Sequence, residues 1–582
     1  MIGKTICHYR AARRALHNQK IGVKQVQMSQ KLKITPLGGV NEVGKNLTVY
    51  DHGGDILLVD CGLSFPDEDM FGVDVVVPDL TYIEQNKARV RALCVTHGHE
   101  DHIGAVSFLL RVVNCPVYCT KLTAGLIKIK LEEAGLAHNA DIRCVEAGQV
   151  IRVGSLGVEF IHVNHSIAGS VMLAIHTAIG PIIHTGDFKL DTTPVDGDMI
   201  DLARLGELGR EGVLALLSDS TNAEIPGISM SERTVGEALM NLFRSTDKRI
   251  VVTTFASNIH RVQQIINAAA ETGRKVAITG RSMENILALS INLECIDIPP
   301  GAIIEMSQVK SLPKKNVCVI TTGSQGEPMS ALNRMAFGAH RQVDLGVGDR
   351  VIISASPVPG NEKTVSRMID ELFRRGCDVV YKRLADIHVS GHACQEELKL
   401  ILALTKPKYF IPIHGEFRMM KAHTELAALT GLAYENMLIP ELGRPIEVSR
   451  RGLKMLAAVP SGRVLVDGMG DDAGDVGGAV LHDRRHLATD GVLMVVVTMD
   501  TDCSAVIAGP EIVTRGFALP KDNHDAILKD LRQIAADTLA DCIGKRHTDW
   551  STIKQSLRSA LGSYLTRRHK GKPLILPVIM EA

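Results

Sequence analysis

Residues 96 to 105, THGHEDHIGA, place His97, His99, Asp101 and His102 within six positions. With 22 histidines in 582 residues, an H-x-H-x-D-H pattern arises by chance in on the order of one such chain in several hundred. The spacing is therefore informative. Neutral imidazoles and a carboxylate suit borderline divalent ions, zinc above all, and a loop this dense in donors offers more than one tetrahedral ion takes from a single loop. It reads as part of a two-metal site. The mundane alternative is a solvated histidine-rich loop or a set of buried, hydrogen-bonded histidines, and what the rest of the chain brings to the same place decides between them.

The elements that must position these groups are legible. The run RALCVT delivers His97 and His99 at the C-terminal end of a strand, where alternation points both rings the same way, and a helix is predicted from about Asp101. Three other apolar runs end in similar residues: DILLVD at Asp60, VEFIHVNH at His165 and GPIIHTGD at Asp187. In an α/β fold the C-terminal strand ends converge on one rim, where catalytic and ligand residues gather. Taken singly, Asp60 before Cys61-Gly62 can be a turn former and His165 a buried histidine. Further along, LLSDSTNAE puts Asp219 at another strand end, DIHVSGHACQEELK supplies His388 and His392, and IPIHGE supplies His414.

The pattern along the chain predicts α/β architecture in several units. From Lys31, KITPLGGVNEVGKNLTVYDHGGDILLVDCG reads as short strands separated by glycine turns. Strands and amphipathic helices then alternate to about Leu217, with a strand-rich run from Ile142 to His184. Between Asp219 and about Ile387, the runs RIVVTTF, KVAITG, VCVITTG and RVIISAS are each separated by enough chain for a helix, which predicts a small parallel sheet. PKYFIPIHGE and the helix pattern after it resume βα texture. Past Gly452 come glycine- and aspartate-rich loops (DGMGDDAGDVGG), strands VLMVVVTMD and AVIAGPEIVT, helices near 523–543 and 550–566, and a last strand PLILPVIM, an α+β domain. The expected units are a basic, flexible arm over 1–30, a first domain made of 31–217 and 388–452, an inserted domain over 218–387, and a linker with C-terminal domain over 453–582.

Composition narrows the class. Hydrophobic residues make up 45% and charged residues 22%, ordinary globular usage. No apolar run approaches the length of a membrane span and no apolar signal region opens the chain, so the protein is expected to be cytoplasmic with no membrane partner. The twelve cysteines include no CxxC pair and read as buried free thiols rather than disulfides. With 65 basic and 65 acidic residues, any polyanion site must be a local patch. One asymmetry stands out: no Asp or Glu precedes Glu42, whereas Lys4, Arg10, Arg13, Arg14, Lys20 and Lys24 do. This basic arm reads as a solvated tail, an RNA-binding tail, an organelle transit peptide, or a stretch preceding a true start at Met28.

Taken together, the strand-end Asp60, the H-x-H-x-D-H loop, His165 and Asp187 resemble the metallo-β-lactamase superfamily. Asp219 in SDSTNAE, His392 in HVSGHA and His414 in IPIHGE look like motifs A, B and C of its β-CASP nucleases, whose αββα sandwich carries an inserted α/β domain. Within that group the chain is similar to the ribonuclease J family through TPLGGVNEVGKN, HTGDFKLD, SDSTNAE, TTFASNIHRVQQ, TTGSQGEPMSAL, SPVPGNEK and HVSGHACQEELKL; the C-terminal part resembles that family's extra domain more weakly. The resemblance implies that His97, His99 and His165 hold one ion, that Asp101, His102 and His414 hold the other, and that Asp187 bridges them. It implies two Zn²⁺ per subunit, with Mn²⁺ or Mg²⁺ as activating ions. Asp60 would orient the loop or the attacking hydroxide, and Asp219 would hold His392 as a general acid for the departing 3′ oxygen. The competing view is that Asp219 caps a turn and His392 only touches a phosphate.

The implied substrate is single-stranded RNA with a 5′-monophosphate preference, cut 5′→3′ and also internally, in RNA maturation and mRNA decay. The implied assembly is a homodimer or homotetramer within an RNA-degradation complex. HVSGH offers Ser390, the backbone amides around Gly391, and His392 as a compact anion nest for a phosphate, with His388 at its start as a further candidate contact, or is an ordinary polar connection. Ser257 and Asn258 precede a helix N-terminus and either receive a phosphate or cap that helix, and Ser324 and Gln325 follow a strand in a glycine turn that either touches RNA or is a routine connection. Aromatics at 4% leave little for base stacking, so recognition is expected to rest on the backbone. Two other functions compete: a small-molecule hydrolase on the same core, which turnover of a thioester or lactone in place of RNA would reveal, and a catalytically silent RNA-binding scaffold, which would hold metal and leave RNA uncut.

Overall fold

Alternation within strands builds two layers around one interior. In the strand Asp55–Val59, Ile56 and Leu58 face the helices Val106–Val112 and Lys121–Glu133, while Leu57 and Val59 face a second sheet. In Val171–Thr177, Leu173 and Ile175 meet that same interior from the other side, and Met172 and Ala174 face the helices Leu202–Glu211 and Gln395–Thr405. The result is an αββα sandwich, the architecture that the resemblance implied; the strand-and-helix pattern by itself predicted only α/β texture. This computed structural model describes residues 31–582 except Glu68, Asp196, Pro328, 358–360, 382–383, 469–473, 519–522, 547–548 and 569–571. The arm expected over 1–30, with its alternatives, lies outside the described residues.

One sheet of the sandwich has eight strands, in the order Gly452–Met455, Ile446–Ser449, Lys31–Gly38, Leu47–His52, Asp55–Val59, Val90–Cys94, Val117–Cys119 and Ile142–Cys144. The other has six: Tyr409–Ile413, Ala215–Asp219, Gly180–His184, Val171–Thr177, Leu156–His162 and Val150–Val153. Strands from beyond residue 400 thus complete both sheets. Between them in sequence stands a parallel sheet of its own, Ile303–Ile304, Lys275–Thr279, Val317–Thr321, Arg249–Thr253, Asp349–Ile353 and Asp378–Tyr381. Its central strands are buried on both faces, as parallel strands flanked by helices must be. The two edge strands were not anticipated, being too short to carry a periodicity.

The C-terminal part follows the expected order: Val492–Met499 lies between Val506–Arg515 and Leu574–Glu581, with the helices His524–Gly544 and Trp550–Arg568 on one face. The glycine- and aspartate-rich stretch before it departs from a pure loop. Arg463–Asp467 pairs antiparallel with Val75–Pro78, and Gly478–Thr489 is helical. Among the described residues no helix is long and apolar enough to cross a membrane, and the described cysteines are all free thiols.

One close approach locks the loop that matters most. The turn after Asp55–Val59 lies against THGHEDHIGA, with Cys61 N–H donating to the His102 carbonyl at 2.8 Å and Leu63 N–H to that of Glu100 at 3.0 Å. A Cβ on Gly62 would sit 1.6 Å from the Asp101 carbonyl oxygen, so only glycine fits. Gly62→Ala is expected to lower stability by about 1–3 kcal/mol through overpacking and to weaken metal retention, both measurable by thermal melting and metal analysis after dialysis.

Candidate metal centre

Strand ends bring the candidate ligands to one rim. His97 follows the strand Val90–Cys94 by three residues, Asp187 follows Gly180–His184 by three, Asp219 closes Ala215–Asp219, and His414 follows Tyr409–Ile413 directly. His99 caps a single helical turn, Glu100–Ile103, that aims Asp101 and His102 back at the rim. Asp60 and His414, each the residue after its strand, adopt left-handed backbone with φ of 59° and 52°. That conformation costs a non-glycine residue roughly 1 kcal/mol. It is held here by Asp60 N–H donating to the Cys94 carbonyl at 3.0 Å and His414 N–H to that of Gly39 at 2.7 Å.

The structure draws all the predicted ligands together. One donor atom from each of His97, His99, His165 and Asp187 lies within 4.8 Å of the others, as does one from each of Asp101, His102, Asp187 and His414. A third set, Asp187, Asp219, His392 and His414, overlaps them. Asp187 belongs to every set, is 2% exposed, and its Oδ1 accepts no hydrogen bond. The His99 Nδ1 lies 3.1 Å from both His97 Nε2 and His165 Nε2, three ring nitrogens converging with too few hydrogens between them. A cation resolves both anomalies.

The other nitrogen of each ring is already committed, which sets the tautomers. His97 Nδ1 lies 3.0 Å from Thr96 Oγ1, His102 Nδ1 lies 2.9 Å from Asp60 Oδ2, His165 Nδ1–H donates to the Gly391 carbonyl at 2.7 Å, and His414 Nδ1 lies 2.7 Å from Thr221 Oγ1. In all four rings Nε2 is the atom left to face the cluster. Burial, with help from the neighbouring imidazoles, pushes His97 and His165 well below the usual histidine value, and burial takes His99 to about 4. These rings are neutral lone-pair donors. Burial also opposes charge on His102 and His414, but Asp187 and the adjacent carboxylates outweigh it and hold both well above the usual value. An ion at Nε2 must therefore displace a proton there.

Asp60 sits behind the cluster. Besides His102, its carboxylate accepts from Thr96 N–H at 2.8 Å and Thr96 Oγ1–H at 3.0 Å. These contacts are to Thr96 and His102 of the THGHEDHIGA segment. His392 Nδ1 lies 2.8 Å from Asp219 Oδ2. Burial pushes the His392 imidazole down, Asp219 outweighs it, and the net displacement is upward; Asp219 in turn is held below the usual carboxylate range against its own burial, by His392 foremost. Asn222 Nδ2 donates to Ser390 Oγ at 2.8 Å and to the His392 carbonyl at 3.0 Å. A Cβ on Gly391 would lie 2.6 Å from His165 Cε1, so this glycine is what allows the segment to lie across a ligand ring.

The remaining predicted contacts belong to none of the three donor sets. Asn258 is 5% exposed and its Oδ1 accepts Arg261 N–H at 3.0 Å, the capping role; Ser257 beside it is half-buried. Ser324 is buried, and Gln325 Nε2 donates to the Ser356 carbonyl at 3.0 Å. His388 is half-buried, four residues before His392. Sequence reasoning did not single out Asn46, whose Nδ2 donates to the Asp101 carbonyl at 3.0 Å and lies 3.1 Å from His102 Nε2. Nor did it find Thr96, Thr221 and Asn222, or the fully buried pair Tyr50 Oη and His184 Nδ1, 2.8 Å apart behind Asp60. The polar run directly after Asp219 was a usable signal for Thr221 and Asn222; Asn46 hides in a glycine turn.

Comparison with known proteins decides the family. Family profiles match residues 40–210 (metallo-beta-lactamase superfamily), 247–372 (ribonuclease J, beta-CASP domain), 377–440 (Zn-dependent metallo-hydrolase RNA specificity domain) and 479–582 (ribonuclease J C-terminal domain). The chain is 42% identical over 553 residues to Ribonuclease J2 of Bacillus subtilis, covering 95% of this chain and 99% of that protein. The chain belongs to the ribonuclease J family. Ribonuclease J 1 of Streptococcus pyogenes is 42% identical over 544 residues, covering 94% of this chain and 96% of its own, and Ribonuclease J of Synechocystis is 41% identical over 557 residues, covering 94% and 86%. A crystal structure of a protein of unknown function from Enterococcus faecalis shares the fold, with a TM-score of 0.51 at 18% identity over 72% of this chain and all of that one. Within the ribonuclease J framework the cluster supports divalent metal use. Metal uptake by metal-free protein at neutral pH is expected to release protons, and affinity to fall as pH is lowered. Calorimetry in buffers of differing ionisation enthalpy reads this directly, and uptake with no proton release would sink the assignment of His102 and His414. His102→Ala should lose bound metal, whereas His392→Ala should retain it.

Proposed function

We propose that the chain is a two-metal ribonuclease that hydrolyses RNA phosphodiester bonds, 5′→3′ from a monophosphorylated end and also internally. The observation that carries this reading is the placement of the Asp219–His392 pair against a His/Asp cluster that shares Asp187 with it. Four carboxylates, Asp60, Asp101, Asp187 and Asp219, surround rings that donate lone pairs, and two divalent cations balance that charge. The nitrogen-rich donor set suits zinc, with Mn²⁺ or Mg²⁺ as activating ions. Bound ions of this kind supply a nucleophile at neutral pH and offset charge on the phosphoryl oxygens.

The chain's own residues do the rest. Asp219 accepts the Nδ1 proton of His392, so the Nε2 proton is the one offered to the departing 3′ oxygen. Ser390 Oγ already accepts from Asn222 Nδ2 and from His392 N–H, at 2.8 and 3.3 Å, which leaves its hydroxyl hydrogen to donate to a phosphate. Gly391 spends its carbonyl on His165, so phosphate held at this segment is registered to the cluster. We assign lesser RNA contacts to His388, Ser257, Ser324 and Gln325, and none by side chain to Asn258. The functional units are taken as 31–217 with 388–452, 218–387 and 453–582; the strand Ala215–Asp219 pairs within the sandwich across the first of these bounds, and Arg463–Asp467 ties the third unit to the first. The reading also carries a cytoplasmic protein that self-associates as a dimer or tetramer through its C-terminal part and joins an RNA-degradation complex; outward-facing Val578 and Met580, 40% and 48% exposed, support self-association.

RNA labelled at the 5′ end tests the reading. Mononucleotide release from monophosphorylated but not triphosphorylated RNA is expected, and RNA left uncut by metal-loaded protein would overturn it. His392→Ala should keep metal and lose about 10²–10⁴-fold in cleavage rate. Because Asp219 raises the His392 pKa, the acid stays protonated to higher pH than a free imidazole and activity declines above that raised value. Asp219→Asn should move this alkaline limb to lower pH in a pH–rate profile, and an unmoved limb would remove the general-acid role.

A further inference from the structure

A single buried guanidinium holds both places where the chain passes between the sandwich and the parallel sheet. Arg261 lies on the helix Ile259–Glu271 and is fully buried. Its Nε donates to Glu232 Oε1 at 2.6 Å, and its Nη1 donates to the carbonyl of Ile387 at 2.9 Å and to Ser354 Oγ at 2.5 Å. Glu232 stands on the outward passage. There its backbone N–H donates to Asp191 Oδ2 of the sandwich at 3.0 Å, and Lys189 Nζ donates to the Met230 carbonyl at 3.0 Å. Ile387 stands on the return passage, five residues before His392, and Ser354 Oγ–H donates to the same carbonyl at 2.5 Å.

The return segment is thus pinned at two ends by different parts of the protein. Arg261 and Ser354 hold Ile387 from the parallel-sheet side, while His165, Asn222 and Asp219 hold Gly391, Ser390 and His392 from the sandwich side. Stability alone gives a weak account of this arrangement. Replacing a buried ion pair by apolar groups is often neutral or stabilising, and what such a pair can supply is a defined geometry. A guanidinium supplies it because its planar fork fixes several acceptors at set angles, which a lysine ammonium cannot do. The Arg261 Nη2 is buried without a hydrogen-bond partner, so the fork is placed for Glu232, Ser354 and Ile387 even at the expense of one donor.

We propose that Arg261 is a positioning residue for RNA cleavage: by tying Glu232 to Ile387 it sets where the segment 387–392 and the parallel sheet stand relative to the metal cluster. The proposal rests on the ribonuclease reading above. It separates two kinds of substrate. A small activated diester such as bis(p-nitrophenyl) phosphate needs only the cluster, because its leaving group departs without a proton, whereas RNA needs His392 in place.

The test uses the full-length, metal-loaded protein with Arg261→Lys, Arg261→Met and the double variant Arg261→Met/Glu232→Gln. The double variant leaves no uncompensated buried charge. Should it fold poorly by thermal melting, Arg261→Lys is read in its place. Metal content and turnover of the small diester are expected to match the wild type, while kcat on RNA falls about a hundredfold, the scale of a 1 Å misplacement at a reacting centre, with KM little changed. Wild-type RNA cleavage in the double variant, or equal losses on both substrates, overturns the proposal. Wild-type protein that turns over the small diester but no RNA overturns the ribonuclease reading itself.

Discussion

The structure depends on a buried carboxylate that has too little to bind. Asp187 is almost fully enclosed, shared by every donor set, and one of its oxygens accepts no hydrogen bond. An isolated carboxylate in such a place would take up a proton rather than remain charged. Here His414 and His102 hold it far below the usual range despite its burial. The charge persists because imidazoles surround it, and the imidazoles stay because Thr96, Asp60, Gly391 and Thr221 hold their far nitrogens. Cation binding is the condition this architecture is built around.

That constraint explains why the site is drawn from so many places. Two sheets contribute strand ends, and the last strand to bring a candidate ligand, Tyr409–Ile413, arrives only after the chain has built a separate parallel sheet. The return from that sheet lays His392 and Gly391 directly on the cluster, so the general-acid candidate and a ligand ring share one hydrogen-bonded segment. Under the proposed reading, displacing the return segment would disturb proton donation by His392 before metal retention, because most of the candidate ligands come from the sandwich.

Much of this was readable in one dimension because strand alternation has period two and the chemistry sits at strand ends. His97, His99, Asp101 and His102 announced themselves by type and spacing, whereas His165, Asp187 and His414 were strand-end candidates that the family resemblance joined to them. The C-terminal strand and helix order was equally plain. Short elements were not: Ile303–Ile304 and Asp378–Tyr381 are too brief to carry a pattern, and Arg463–Asp467 exists as a strand because Val75–Pro78 offers an edge to pair with. The partners of the candidate RNA-contact residues were the least legible. Asn258 followed its local role as a helix cap, since a polar residue just before a helix satisfies the nearest unpaired backbone group first, whereas the Gln325 amide donates to the carbonyl of Ser356, 31 residues further along the chain.

The sequence by itself determined the chemical inventory: which residues could bind a divalent ion, that their number exceeds one ion's need, and that strand ends of an α/β fold would carry them. These follow from residue type and local periodicity, which are properties of neighbours along the chain. Only the tertiary structure decided that Asn46, Thr96 and Thr221 support the cluster, that Asp60 faces His102, and that Arg261 joins Glu232 to Ile387 across more than a hundred residues. Those contacts arise from close packing of distant segments around buried charge, and local spacing holds no record of them.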